Sequence, residues 1–166
     1  MTIPFRGIVL IAVLAAGCES ITETAQRQPF GASLDGAAVR PTAVTTTGTG
    51  SFAATLESLH SDATLTYSMT FTGLAGNATA VHLHGPSTAD GIADAIVDLG
   101  NLPQGSTGQL VLGATSGSAQ GTLDLRAIFS NVSGESLHAL LDAGRVYVDV
   151  HTSTRPSGEI RGQILK

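Results

Sequence analysis

Ala63-Thr64-Leu65-Thr66-Tyr67-Ser68-Met69-Thr70-Phe71-Thr72 is the stretch on which the fold class turns. Leu65, Tyr67, Met69 and Phe71 occupy alternate positions, and hydroxyl-bearing residues fill the places between them. Successive side chains of an extended chain point to opposite faces, so the pattern describes a strand with one apolar and one wet face. That is the mark of a half-buried antiparallel sheet. Phe52, Ala54 and Leu56 repeat the pattern upstream, and His60-Ser61-Asp62 reads as the hairpin turn between the two. Further along, the valines of Arg145-Val146-Tyr147-Val148-Asp149-Val150-His151 take the core side, which sends Tyr147, Asp149 and His151 to the other face. Glu159-Ile160-Arg161-Gly162-Gln163-Ile164 alternates in the same way, and Thr107–Gly113 and Gly121–Leu125 read as further strands. One helical spacing occurs, at Leu137, Leu140 and Leu141, with Ser133 placed to cap its start and Gly144 to end it. Many short strands with turn signals and one short helix make an all-β protein, a single β-sandwich or barrel.

Composition removes several functions. A length of 166 residues suits one domain. A net charge of -5 with only 8 Lys and Arg argues against a sequence-independent grip on nucleic acid, which takes clustered basic residues. One cysteine cannot form an internal disulfide. At 42% hydrophobic and 13% charged, the chain has the material for a core and lacks the signature of disorder. No Gly-x-Ser-x-Gly elbow, phosphate loop or His-Glu-x-x-His helix is present.

Residues 1–17 read as a signal peptide. Arg6 gives a sparse positive start, and Ile8-Val9-Leu10-Ile11-Ala12-Val13-Leu14 is an apolar run of the expected length. It is shorter than the roughly 20 residues of a stable spanning helix. The run ends in Leu14-Ala15-Ala16-Gly17-Cys18, which resembles a bacterial lipoprotein signal. That resemblance implies that Cys18 becomes the lipidated first residue of the mature chain and that the protein's first partner is a membrane. The alternative is ordinary cleavage after Ala16 or Gly17 and release. Glu19 follows the cysteine in place of the aspartate associated with inner-membrane retention. The expected location is the bacterial cell envelope, at the outer membrane and periplasm or the cell surface. Residues 18–29 are polar without periodicity and read as a tether; 30–166 form the domain.

The residues that carry chemistry are histidines. His82 and His84 are two apart in Ala80-Val81-His82-Leu83-His84-Gly85-Pro86, so on a strand both leave the face opposite Val81 and Leu83, roughly 6.6 Å apart. Glu159 and Arg161 lie opposite Ile160. If these strands are neighbours, His82, His84, Tyr147, Asp149, His151, Glu159 and Arg161 make one polar cluster outside the core. Two readings stay open. Three neutral imidazoles, those of His82, His84 and His151, suit zinc or copper. Alternatively Glu159 pairs with Arg161, and the histidines bond to backbone or carboxylate in a satisfied network. Truncating Glu159 or Arg161 then costs about 1–3 kcal/mol. His60 and His138 fall on a turn and a helix and are expected at the surface. Asp90, Asp94 and Asp98 recur every four residues, but Gly91 and the strand-like run after it favour a loop. Their spacing does not match an EF-hand, which leaves calcium a minor alternative there.

Three of these segments resemble one family. Ala80-Val81-His82-Leu83-His84-Gly85-Pro86, Val146-Tyr147-Val148-Asp149-Val150-His151-Thr152 and Pro156-Ser157-Gly158-Glu159-Ile160-Arg161-Gly162-Gln163-Ile164 are similar, in that order, to motifs of CHRD domains, the module named after chordin. Asp149 stands where the family usually has asparagine, and Phe30-Gly31-Ala32-Ser33-Leu34-Asp35-Gly36 is similar to its opening strand. The resemblance runs from Phe30 to Lys166 and implies a Greek-key sandwich, immunoglobulin-like or superoxide-dismutase-like. The dismutase fold carries copper on a His-x-His strand outside its barrel, an analogy of fold alone. The chain's 5 histidines and 1 cysteine do not supply the full copper–zinc set and the disulfide of that enzyme. In animals such domains belong to a secreted growth-factor antagonist, a partner that does not transfer to a bacterial lipoprotein. The expected function is a non-enzymatic binding or structural module at the envelope, with an envelope or extracellular protein as partner. The alternative is a copper- or zinc-binding protein using His82, His84 and His151, with a metal-dependent redox enzyme third.

Overall fold

In chain order the strands and helix are β1 (Gln26–Leu34), β2 (Thr49–Leu59), β3 (Asp62–Thr72), β4 (Ala78–His84), β5 (Ala95–Asp98), β6 (Gly117–Asp124), β7 (Ile128–Phe129), β8 (Val132–Ser133), α1 (Gly134–Asp142), β9 (Val146–Thr152) and β10 (Ile160–Ile164). They come from a computed structural model that describes residues 26–166 apart from 60, 61, 127, 130 and 131. Two four-stranded antiparallel sheets form, in the orders β1-β2-β3-β6 and β10-β9-β4-β5, and β7 pairs with β8. The protein is an all-β sandwich. No helix among the described residues is long and apolar enough to cross a membrane.

The alternation read from the sequence sets the register. Phe52 pairs with Met69, Ala54 with Tyr67 and Leu56 with Leu65, so apolar residues of β2 and β3 share one face. Against them pack Val81 and Leu83 of β4, Val146, Val148 and Val150 of β9 and Ile160 of β10, all with no exposure. Each large aliphatic side chain removed from water in this way contributes about 1.5–3 kcal/mol.

The two sheets are stitched along one edge. Gly31 exchanges backbone hydrogen bonds with Leu165, and Asp35 with Arg161, which joins β1 to β10. A Cβ on Gly162 would lie 2.4 Å from the Ser33 carbonyl oxygen, so the approach of these strands requires glycine there. The helix has the expected caps. Ser133 Oγ accepts from the Ser136 amide, while Gly144, at φ 61°, donates to Leu141 and Arg145 to Leu140 in a Schellman closure.

Several expected boundaries move. β1 starts at Gln26, inside the segment read as tether, because residues 26–29 pair with β2. Thr107–Gly113 is not a strand. Gly108 and Gly113 adopt positive φ, which breaks the pleat, and isolated bonds from Thr107 to Thr122, Leu110 to Leu99 and Gly113 to Ala78 hold the segment. β6 starts at Gly117, four residues before the expected Gly121. Asp62 pairs with Leu59 rather than turning, and His60 lies outside the described residues.

Candidate metal centre

β4, β9 and β10 are neighbours, and their registers bring most of the expected cluster together. His82 faces Asp149, which faces Arg161 on the far side; His84 faces Tyr147, which faces Gln163. His151 is two residues beyond Asp149, on the same side of β9. The result is a group of four potential ligands, His82, His84, Asp149 and His151, whose donor atoms all lie within 4.8 Å of one another. It is the single such group among the described residues. The Asp90, Asp94 and Asp98 run forms none. Asp90 meets Arg40, the Asp94 carbonyl accepts from Gly85, and Asp98 accepts from Gly100.

Three contacts link the four side chains. His84 Nε2 and His151 Nε2 each lie 3.1 Å from Asp149 Oδ1, and His82 Nδ1 lies 3.2 Å from His151 Nε2. The opposite nitrogens decide the chemistry. His84 Nδ1 donates to the Ala93 carbonyl at 2.9 Å, and His151 Nδ1 donates to the Pro156 carbonyl at 2.8 Å. A carbonyl oxygen only accepts, so both rings carry a proton on Nδ1. Their Nε2 lone pairs are then aimed at a carboxylate oxygen, which is also an acceptor. That contact is attractive only with a proton on Nε2, giving imidazolium, or with a metal ion among the three atoms. A metal-ligating histidine holds its second nitrogen on a carbonyl or carboxylate in this manner, which fixes tautomer and ring angle.

The electrostatics agree with a site made of one anion and several imidazoles. Burial alone would raise the Asp149 carboxyl; hydrogen bonds from His151 and His84 outweigh it and hold the group at about 2. His151 is shifted up, chiefly by its bond to Asp149 and against its own burial. His82 is shifted down, first by burial and then by the neighbouring His151.

Further contacts position these side chains. The Tyr147 ring stacks on His84 with centroids 4.7 Å apart and planes within 2°. The Arg161 guanidinium carbon sits 3.6 Å from the same phenol centroid. The Tyr147 hydroxyl donates to the Ala93 carbonyl and accepts from the Ala93 amide, so one backbone unit orients both Tyr147 and His84. The segment from Gly85 to Asp94 roofs this face. Its carbonyls accept from Arg161 at Thr88 and Ala89, and from Gln163 at Ser87.

Glu159 stands apart from the cluster. Its carboxylate accepts from the Thr46 hydroxyl at 2.6 Å, the Ala75 amide at 2.7 Å and the Thr152 hydroxyl at 2.8 Å. Thr152 shares the core side of β9 with Val150, so Glu159 ties two loops to the end of the sandwich. Among the described residues no ion pair joins it to Arg161. The expected pairing fails because Glu159 precedes β10, outside its alternation. His138 sits on α1, 3.6 Å from Asp142 and away from the site. Cys18 lies outside the described residues.

The family model for the CHRD domain matches residues 30–164. This chain belongs to the CHRD family. No curated protein and no solved structure matches it. In this CHRD domain the three motifs read from the sequence are β4, β9 and the turn into β10, which is why residues far apart in the chain form one face. Arg40 lines the same face, and the Ala93 and Pro156 carbonyls anchor two of its histidines; of the three only Pro156 lies in a motif read from the sequence. Arg40 comes from a loop without periodicity, and the other two act through backbone carbonyls, which no side-chain pattern reports.

Proposed function

We propose that this CHRD domain is a non-enzymatic binding module whose ligand is a divalent transition-metal ion, held by His82, His84, Asp149 and His151. The observation that carries the reading is the paired anchoring of His84 and His151. Their Nδ1 protons are committed to carbonyls, and their Nε2 atoms converge with Asp149 Oδ1 and His82 Nδ1. Contacts of 3.1–3.2 Å between donor atoms suit an ion bonded at about 2.0–2.1 Å to each. Three imidazoles and one carboxylate are ligands of zinc and copper rather than of calcium or magnesium. The ion would join β4 to β9 and supply Lewis acidity or, as copper, a redox couple.

The raised His151 favours a second reading, a metal-free network in which an imidazolium faces Asp149. Titration of the purified full chain with zinc and with copper(II), followed by calorimetry, separates the two. One ion per chain, lost in the His82→Ala/His84→Ala variant, is the expected result. Binding no greater than that of the variant would leave the network reading in its place.

The module is placed at the bacterial envelope, tethered by lipid on Cys18, with an envelope or extracellular protein as a further partner. The small residues before the chain's only cysteine support the anchor. Cys18→Ser should move the protein from the membrane fraction to the soluble fraction; an unchanged distribution would overturn the anchor.

A further inference from the structure

His84, Asp149 and His151 do more than face one another: they also line a pocket of about 240 Å³. Its other walls include Arg40, Tyr147 and Arg161, and Asp149 is the one carboxylate among the lining residues. A larger groove, about 490 Å³, runs between Val39–Thr45 and Thr154–Gly158 and shares Arg40 and Gly158 with the pocket. The ligand cluster therefore has an approach from outside, on the side of two guanidinium groups.

Arg161 is the informative one. It is 3% exposed, yet its hydrogen bonds to protein, to the Thr88 and Ala89 carbonyls, all leave from Nη2. A guanidinium has five N–H donors, and among the described residues Nε and Nη1 have no hydrogen-bond acceptor. These two nitrogens are not sealed off, since Gln163 Oε1 is the fully buried side-chain polar atom without a partner among the described residues, so an anion can reach them as water does. Arg40 adds a second cation, anchored by the Ala37 and Val39 carbonyls and more loosely by Asp90 at 3.4 Å. A divalent ion beside two arginines and one carboxylate leaves the pocket net positive.

We infer that the pocket binds a small anion, carboxylate-sized, that bridges the metal held by His82, His84, Asp149 and His151 to the free donors of Arg161. The inference rests on the metal reading above. At about 240 Å³ the pocket itself has room for a small anion. Arg161 would be a positioning group for the anion.

The test uses the full chain loaded with one copper(II), with azide as the probe anion. Absorption and electron paramagnetic resonance report a change in the copper environment. The expected result is a saturable new charge-transfer band, with azide affinity lowered about tenfold in Arg161→Lys and less in Arg40→Gln, copper affinity being unchanged. Circular dichroism confirms that each variant is folded, and Arg40→Gln keeps the test valid should Arg161→Lys fail to fold. Copper binding with spectra indifferent to azide would overturn the anion pocket and leave the metal site standing. Azide binding of equal strength in all folded variants would overturn the role of the arginines. Absence of copper binding would remove the metal reading and this inference with it.

Discussion

The outer faces of the two sheets arise from the same period-two alternation and end in opposite environments. On β2 and β3 the side chains that leave the core include Ser51, Ala53, Thr64, Thr66, Thr70 and Thr72, all exposed, and Thr55, Glu57 and Ser68, half-buried. Ser51 and Thr70 bond to each other at 2.8 Å across the strands and otherwise face water. On β4, β9 and β10 the equivalent positions include His84, Tyr147, Asp149 and Arg161, buried although they lie outside the sandwich core, and His82, His151 and Gln163, half-buried. What differs is the chain between strands. The segment from Gly85 to Asp94 folds back over the second sheet and satisfies its polar groups with backbone carbonyls, whereas among the described residues no side-chain hydrogen bond ties Thr64, Thr66 or Thr72 to such a segment. Alternation thus tells which side chain leaves the core, and connecting segments decide whether it then meets water.

The contrast can be broken by substitution, and the largest effect should come from Glu159. Glu159→Ala leaves the Thr46, Ala75 and Thr152 donors without their acceptor, and a loss of about 3 kcal/mol is expected in denaturant unfolding. Acid should act on the same group. Burial pushes the Glu159 carboxyl up, but its hydrogen bonds outweigh this and hold it below the ordinary glutamate range. Its contribution is therefore complete above the unfolded-state value and is lost as pH falls through the lower folded-state value. Glu159→Gln should flatten that acid limb; an unaltered profile would show that other carboxyls govern it.

Next in size is metal loading. At a free zinc concentration a hundredfold above the dissociation constant, linkage predicts a gain of about 2.7 kcal/mol, absent in His82→Ala/His84→Ala. Tyr147→Phe keeps the ring on His84 and removes two hydroxyl contacts to Ala93, for a cost of about 1 kcal/mol in thermal unfolding. Thr66→Ala on the open face should stay within about 0.5 kcal/mol of the parent. A Thr66 effect as large as that of Tyr147 would erase the distinction between roofed and open faces.

Much of this was legible in the sequence because it depends on side-chain type at fixed spacing. The face of His82 and His84 followed from Val81 and Leu83 on the other side, and that of Asp149 and His151 from the valines of β9. The three-strand neighbourhood is an assumption that the sequence cannot supply, since β4 and β9 are separated by β5, β6, β7, β8 and α1. Glu159 was misplaced by extending β10 one residue too far. Its hydrogen-bonding partners, Thr46 and Ala75, sit in loops whose positions no local pattern encodes. Asp149 was named for its motif, yet its reach to both His84 and His151 depends on rotamers and on the Ala93 and Pro156 carbonyls.

The seam between β1 and β10 also fixes a standoff. Asp35, at one end of β1, bridges to Arg161, and Arg161 lies in register with Asp149 and His82. Gln26, where the described chain enters, is nine residues back along the same strand direction, about 30 Å at strand rise. A hold on the N-terminal side of Gln26 therefore grips the sandwich at one pole while the histidines occupy the level of the other. Were the chain held there, the sandwich itself would be the spacer between that hold and the cluster.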